Sequence, residues 1–225
     1  MVRYLVFLFV IGATSLADAQ DKRPSVMYIG SKAGLNLSSA TLFHTLNGYK
    51  MLKGNLIGIN AGVAFQHFYQ HHVGFQAEIN FSQKGYKQKF DNGSAFETRL
   101  NYLEIPMLAV IRTGKNKFHI FANAGVYLEF LLNSKISERP SDADIGSWDF
   151  YAYDESSDRK FGYGFRVGSG LSYDFGFGTI LADVHFSYSL SNFFNPIDLT
   201  TGIPDQSNNF VLGGFVSYMV RFGDL

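Results

Sequence analysis

Hydrophobic and polar side chains alternate with a period of two along most of the chain. In residues 73–84 the odd positions from Val73 to Phe81 are apolar, and the even positions are glycine or polar. A period of two places alternate side chains on opposite faces of a β-strand. The pattern predicts eight strands, at residues 27–37, 57–65, 73–84, 101–112, 118–132, 161–173, 180–190 and 210–222.

The predicted strands and their connections have the dimensions of a membrane barrel. Ordinary strands are about five or six residues long, whereas a strand that crosses a bilayer needs about nine to eleven. Long connections, at residues 38–56, 85–100, 133–160 and 191–209, alternate with short ones, at residues 66–72, 113–117 and 174–179. Outer-membrane barrels have short periplasmic turns and long outer loops. We therefore expect an all-β fold, an eight-stranded antiparallel up-and-down transmembrane β-barrel, with both termini on the periplasmic side.

A soluble, secreted barrel that carries a small ligand, of the lipocalin type, has the same alternation. Its apolar face would point inward and its polar face outward, and alternation alone does not distinguish the two arrangements. Three features favour lipid on the outside: the strands are long, glycine dominates the polar face, and the apolar face carries almost no charge. These features favour a membrane barrel over a soluble one.

Charged residues are scarce. The 225-residue chain has 19 Lys plus Arg and 19 Asp plus Glu, so its formal net charge is zero, and charged residues make up 17% of it. A neutral chain lacks the field that draws general nucleic-acid binders to polyanions, so nucleic acid is not an expected partner. The sequence contains no cysteine, which excludes disulfides, thiolate metal sites and cysteine nucleophiles.

The first 19 residues have the organisation of a secretory signal peptide. Arg3 supplies the positive charge, residues 4–12 form a short apolar run, and Ala17 and Ala19 occupy the small-residue positions before a cleavage site. The apolar run is too short to span a bilayer as a helix. We expect cleavage after Ala19, which leaves residues 20–225 as the outer-membrane barrel domain.

Aromatic residues cluster near the ends of the predicted strands, where the interfacial girdles of membrane barrels lie. The cluster comprises Tyr28, Phe65, Phe68, Tyr69, Phe81, Tyr86, Phe118, Phe130, Phe161, Tyr163, Tyr173, Phe193, Phe194 and Phe222. We interpret these residues as contacts with the membrane interface.

Ionisable residues recur on the polar, inward face of the predicted strands. Eight of them are expected in the lumen: Lys32, Glu78, Lys84, Glu104, Glu129, Arg166, Asp183 and His185. An eight-stranded barrel is just wide enough inside for side chains, so charges there must pair. The sequence favours a network of ion pairs that fills the lumen. A proton or ion path, or a catalytic site built on a glutamate and His185, is the alternative.

Enzymatic and metal chemistry find little support. Mid-strand glycine pairs such as Gly162 and Gly164 are followed by no helix, so they are not phosphate-binding loops, and they suit a wall that curves around bulky neighbours. His67, His71 and His72 share one short turn without a carboxylate or cysteine to complete a zinc site. We expect no catalytic residue, no metal and no cofactor.

The third long connection, residues 133–160, is the most polar stretch of the chain. It holds seven acidic and four basic residues, a net charge of −3, together with Trp148, Phe150, Tyr151 and Tyr153. Aromatic side chains on an exposed loop either bind a partner or pack within the loop. Loop packing is favoured, and these four residues are the candidate partner-binding positions.

Four segments resemble the PorT-like outer-membrane β-barrel family of Gram-negative bacteria. They are residues 30–38 (GSKAGLNLS), 78–85 (EINFSQKG), 101–106 (NYLEIP) and 183–192 (DVHFSYSLSN). In the last segment His185 and Ser189 stand where the resemblance leads us to expect arginine and glycine. The resemblance implies the same barrel fold and, from one branch of the family, a link to protein secretion across the outer membrane.

Taken together, the pattern and the resemblance predict a non-enzymatic protein with a structural or interaction role in the cell envelope. Its partners would be outer-membrane lipid and, through the outer loops, envelope or secretion proteins. A small-solute channel and the soluble ligand-carrying barrel are the alternatives. The number of charged inward residues counts against an open channel.

Overall fold

The computed structural model describes residues 25–44, 49–50, 53–69, 72–89, 95–137, 153–156, 158–195 and 206–222. These residues form ten strands: β1 (Val26–His44), β2 (Tyr49–Lys50), β3 (Lys53–Gly54), β4 (Leu56–Phe68), β5 (Val73–Lys89), β6 (Ala95–Lys115), β7 (Phe118–Ser137), β8 (Phe161–Phe175), β9 (Gly178–Ser189) and β10 (Gln206–Phe222). Within these ranges no helix is long and apolar enough to cross a membrane.

The eight long strands form a closed antiparallel ring. Each pairs with the next long strand along the chain, and β10 returns to pair with β1 from Met27–Phe222 to Phe43–Gln206. The two-residue strands β2 and β3 pair with β1 and β5 beside the ring. Closure leaves no unpaired sheet edge in the wall, as a strand structure in lipid requires. The predicted eight-stranded up-and-down barrel is confirmed.

The apolar face of the wall points outward. Ile79 and Val126 are 54% and 52% exposed on the outer surface, whereas the neighbouring Asn80 and Tyr127 are buried in the lumen. A soluble ligand-carrying barrel has the opposite arrangement, with its apolar face inside. The orientation of the side chains therefore decides for the membrane barrel.

Several strands extend beyond their predicted ends on the side of the long connections. β5 continues to Lys89, β6 begins at Ala95 and β7 continues to Ser137, where the pattern predicts ends at 84, 101 and 132. On the extensions of β5 and β6 the outward side chains are mostly polar, and the inward ones include the buried Tyr86, Phe96 and Leu100, so the alternation is reversed while backbone pairing continues. Predicted loop residues at these three strand ends are therefore strand.

Large and small side chains alternate across β7 and β8, which lets the narrow lumen fill. Tyr127 lies opposite Gly164, and Arg166, the large inward residue of β8, lies opposite Gly125. A Cβ atom added at Gly164 would clash with the backbone carbonyl oxygen of Tyr188 and would lie 2.7 Å from Cζ of Tyr127. These mid-strand glycines thus make room for the cross-strand neighbour, as the sequence suggested.

Five aromatic residues that the sequence assigned to the interfacial girdle lie inside the barrel or over its mouth. Their side chains are buried: Tyr28, Phe68, Tyr86, Phe193 and Phe194. Position near a strand end determines height in the membrane but not the face on which a side chain lies. Most of the other residues assigned to the girdle are exposed on the outer surface.

Candidate functional site

The ionisable residues of the lumen form one continuous chain of contacts, here called the ion-pair chain. In order, its members are Glu129, Lys84, Glu104, Arg166, Glu78, Lys32, Asp183 and His185. Each member is buried, with at most 8% of its surface exposed. The structure thus brings together all eight residues singled out in the lumen from the sequence.

Lys32 anchors one half of the ion-pair chain. Its Nζ lies 3.2 Å from Oε1 of Glu78 and 3.4 Å from Oδ2 of Asp183. Nζ also lies 4.4 Å above the ring of Phe215, which stacks on His185 with ring centroids 4.3 Å apart. His185 is the last member of the ion-pair chain, with its Nδ1 3.9 Å from Oδ2 of Asp183. An aromatic face therefore serves as an additional partner for the lysine charge.

Lys84 and Arg166 hold the other half. Lys84 is ion-paired with Glu104 and lies 2.7 Å from Oε2 of Glu129. Arg166 contacts Glu104 through Nη2, and its Nη1 lies 3.7 Å from Oε2 of Glu78. Both cations thus bridge two carboxylates each, which removes most of the cost of burying either charge.

The ion-pair chain connects strands around most of the barrel circumference. β1, β5, β6, β7, β8 and β9 each contribute at least one member, on the inward positions set by the period of two. Glu78 is further held by Nδ2 of Asn80 at 2.7 Å and by a hydrogen bond from Gln76. Four carboxylates face three permanent cations, and His185 is the remaining titratable group. The arrangement is a buried structural core that consists of charged, hydrogen-bonded side chains.

Apolar residues close the lumen beyond each end of the ion-pair chain. The long-loop apolar layer consists of Ala40, Tyr86, Phe96, Leu100, Tyr102, Tyr153, Phe193 and Phe194. The short-turn apolar layer consists of Val26, Tyr28, Ala64, Phe68, Val110, Phe121, Leu181 and Met219. The cavity against the short-turn layer measures about 10 Å³, which is at the lower limit for one water molecule.

A short cap, made of residues 153–156, 158–160 and 191–195, holds the long-loop apolar layer in place. Glu155 accepts hydrogen bonds from the backbone N and Oγ of Ser134, and these bonds lower the pKa of its carboxyl group. Asp158 accepts a hydrogen bond from the backbone N of Asn195, whereas its burial raises its pKa. These contacts connect two long connections of the chain over the barrel mouth and position Phe193 beside Tyr86, with their rings stacked at 5.8 Å.

The four candidate partner-binding residues divide between the cap and the undescribed part of the chain. Tyr153 is buried in the long-loop apolar layer, and its hydroxyl donates to the carbonyl oxygen of Arg159 at 2.9 Å. Its ring therefore packs against the mouth of the barrel and presents little surface to a partner. Trp148, Phe150 and Tyr151 lie outside the described residues.

Sequence reasoning missed the aromatic partners of the ion-pair chain. Lys84 lies 4.7 Å from the ring of Tyr127, and Lys32 and His185 both contact Phe215. The period of two places Tyr127 and Phe215 on the inward face, and this position was the only indication of their role in the sequence. Within the described ranges, no group of three or more His, Asp or Glu side chains could hold a metal ion.

The model of the family described as outer membrane protein beta-barrel domain matches residues 18–195. The chain belongs to this family. The match covers most of the chain and agrees with the closed ring and its outward apolar face. Comparison with curated protein sequences gave no significant match.

The chain is similar to several solved outer-membrane proteins at low sequence identity. OprG from Pseudomonas aeruginosa is 11% identical, with a TM-score of 0.54 over 90% of this chain and 98% of OprG. Neisserial surface protein A is 14% identical, with a TM-score of 0.46 over 88% and 97% of the two chains. Ail from Yersinia pestis is 13% identical, with a TM-score of 0.42 over 89% and 99%. The likeness to OprG supports the fold alone.

Proposed function

We propose that this protein is an occluded, non-enzymatic barrel with a structural or interaction role in the outer membrane. The observation that carries the proposal is the ion-pair chain, which fills the middle of the lumen between two apolar layers. A lumen occupied by paired charges and capped by aromatic rings offers a solute no polar path. The surfaces left for function are then the long connections and the short turns.

The proposed orientation follows from the lengths of the connections. Outer-membrane barrels have short turns in the periplasm and long loops outside the cell. Residues 116–117 and 176–177 form two-residue turns between long strands, whereas β7 and β8 are separated by residues 138–160. The long-loop end, with its cap, would thus face the exterior, where Trp148, Phe150 and Tyr151 would meet an envelope or secretion protein.

Two finer assignments belong to the same proposal. Residues 1–19 would be a signal peptide cleaved after Ala19, since export is required to reach the outer membrane. The resemblance of residues 78–85 and 183–192 to the PorT-like family supports a role near protein secretion. The chain would then act by holding a partner at the membrane and not by passing the secreted protein through its lumen.

A channel for small solutes is the competing function. A polar lumen is what such a channel needs. Here, however, Arg166 and Lys84 each bridge two carboxylates across the lumen, and their displacement would leave buried charges unpaired. The paired arrangement therefore favours the occluded barrel.

Photo-crosslinking in intact cells tests the proposed role. A photoreactive residue at position 151 should form an adduct with an envelope protein, and the same residue at position 116, in a short turn, should not form that adduct. Replacing Trp148 and Phe150 with alanine should abolish the adduct while the barrel remains folded. Absence of any adduct from position 151, with unchanged protein secretion in cells that lack the barrel, would contradict the interaction role.

A further inference from the structure

Beyond the short-turn apolar layer, the mouth of the barrel forms a cavity of about 440 Å³. Its lining includes six charged or titratable side chains: His72, Arg112, Lys117, His119, Asp174 and Arg221. These residues come from β6, β7, β8 and β10, from the β6–β7 turn and from the β4–β5 connection, so the site is assembled by the closed ring. We call this site the basic cavity.

Positive charge dominates the basic cavity. Arg112, Lys117 and Arg221 supply three permanent cations, whereas Asp174 is the carboxylate among the described lining residues. Asp174 already accepts a hydrogen bond from Oγ1 of Thr179 at 2.6 Å and lies 3.5 Å from Nδ1 of His119. Among the described lining residues, three cations less one carboxylate leave a surplus of two positive charges.

The floor of the basic cavity is apolar. The guanidinium carbon of Arg112 lies 3.9 Å from the ring centroid of Phe68, and Nη1 donates to the hydroxyl of Tyr28 at 3.3 Å. Phe68 and Tyr28 belong to the short-turn apolar layer, which separates the cavity from the ion-pair chain. An anion that enters therefore meets an oriented guanidinium over a floor of low dielectric constant, where its attraction is strengthened.

We propose that the basic cavity binds a phosphate group at the short-turn end of the barrel. A phosphate carries about −1.5 to −2 charges at neutral pH, which matches the surplus of two, and its oxygens accept hydrogen bonds from arginine, lysine and histidine. The volume exceeds that of one phosphate ion and admits an organic phosphate or a diphosphate. The phosphate belongs either to a soluble compound or to the headgroup of a phospholipid in the adjacent leaflet.

Calorimetric titration of the protein in non-ionic detergent with inorganic pyrophosphate tests the soluble source. We expect binding that weakens as salt concentration rises, because opposite charges are screened. Lys117→Gln and Arg221→Gln should each weaken it by about tenfold through loss of a charge-assisted contact. Lys115→Gln is the matched control, because Lys115 carries the same charge on the same hairpin but does not line the cavity.

Native mass spectrometry after release from nanodiscs tests the lipid source. Nanodiscs of phosphatidylcholine with and without phosphatidylglycerol are compared, and retained phosphatidylglycerol should disappear in the Lys117→Gln/Arg221→Gln variant but not in Lys115→Gln. Pyrophosphate binding alone would assign a soluble phosphate, and lipid retention alone would assign the headgroup. Absence of both, or equal losses in the double variant and the Lys115 control, would overturn the proposal.

Discussion

The outer face and the lumen of this barrel are built from the same strands and obey opposite rules. Ile79 is exposed to the surroundings of the wall, whereas Glu78 and Asn80, its neighbours along β5, are buried. In a soluble protein charged pairs lie mostly at the surface, where water screens them and each contributes little. In this barrel the charged side chains lie in the interior, and the ion pairs between them form part of the core.

The two faces therefore differ in how specific their side chains must be. Lipid tails are uniformly apolar, so the outer face needs hydrophobic side chains but no particular partner. The lumen needs each charge opposite its counter-charge and each large side chain opposite a small one. Substitutions that preserve hydrophobicity should be tolerated on the outer face. In the lumen, the loss of one charged side chain should leave its ion-pair partners buried without a counter-charge or water.

Loss of Arg166 should have the largest effect, because two carboxylates lose a partner at once. Arg166→Met leaves Glu78 and Glu104 with one lysine each, and we expect a loss of about 3–5 kcal/mol in the free energy of unfolding. Urea titration of the protein folded in phosphatidylcholine vesicles measures this loss. Arg159→Met, the same substitution at an exposed residue of the cap, is the control. Equal losses in the two variants would show that the buried pairs contribute nothing.

A charge placed on the outer face should cost somewhat less. Ile79→Arg or Val126→Arg puts a guanidinium among lipid tails near the middle of the wall, at an expected cost of about 2–4 kcal/mol. The same vesicle titration measures the change, with Val126→Leu as the control that keeps the apolar surface. Tolerance of both arginines would mean that this face does not contact lipid.

Crowding of the lumen should give a smaller effect. Gly164→Ala drives a methyl group against the backbone carbonyl of Tyr188 and the ring of Tyr127, and it should cost about 1–3 kcal/mol by overpacking. Gly214→Ala is the matched control, because Gly214 lies on the outer face of β10 and a Cβ there meets nothing within 4 Å. We expect the control to be neutral or slightly stabilising, and the reverse order would contradict the large-to-small packing of β7 and β8.

The fold followed from the sequence because the membrane imposes a strict period of two wherever strands cross it. The positions of Ile79 and Val126 on the outer face could be predicted for this reason. In the extensions of β5 and β6 the alternation is reversed, because water replaces lipid on the outer side while Phe96 and Leu100 cover the lumen. A search for outward apolar residues therefore ends these strands too early.

The site was less accessible to sequence reasoning than the wall. Parity places Glu104 and Arg166 in the lumen, but which charges meet depends on the stagger between strands that are distant in sequence. The role of Phe193 in the cap was hidden because it lies in a connection without periodicity. The basic cavity escaped notice because Lys117 and Asp174 lie in or beside separate short turns that only ring closure brings together.

Recording current across a planar bilayer is the most direct test of the central claim that the lumen is occluded. Purified protein whose folded state is verified by its shifted gel mobility before heating is inserted, and the current is followed over a range of voltages. We expect no steady conductance for the unmodified protein, because paired charges and two apolar layers fill the lumen. A stable, ohmic channel would contradict an occluded lumen and make the small-solute channel the leading function.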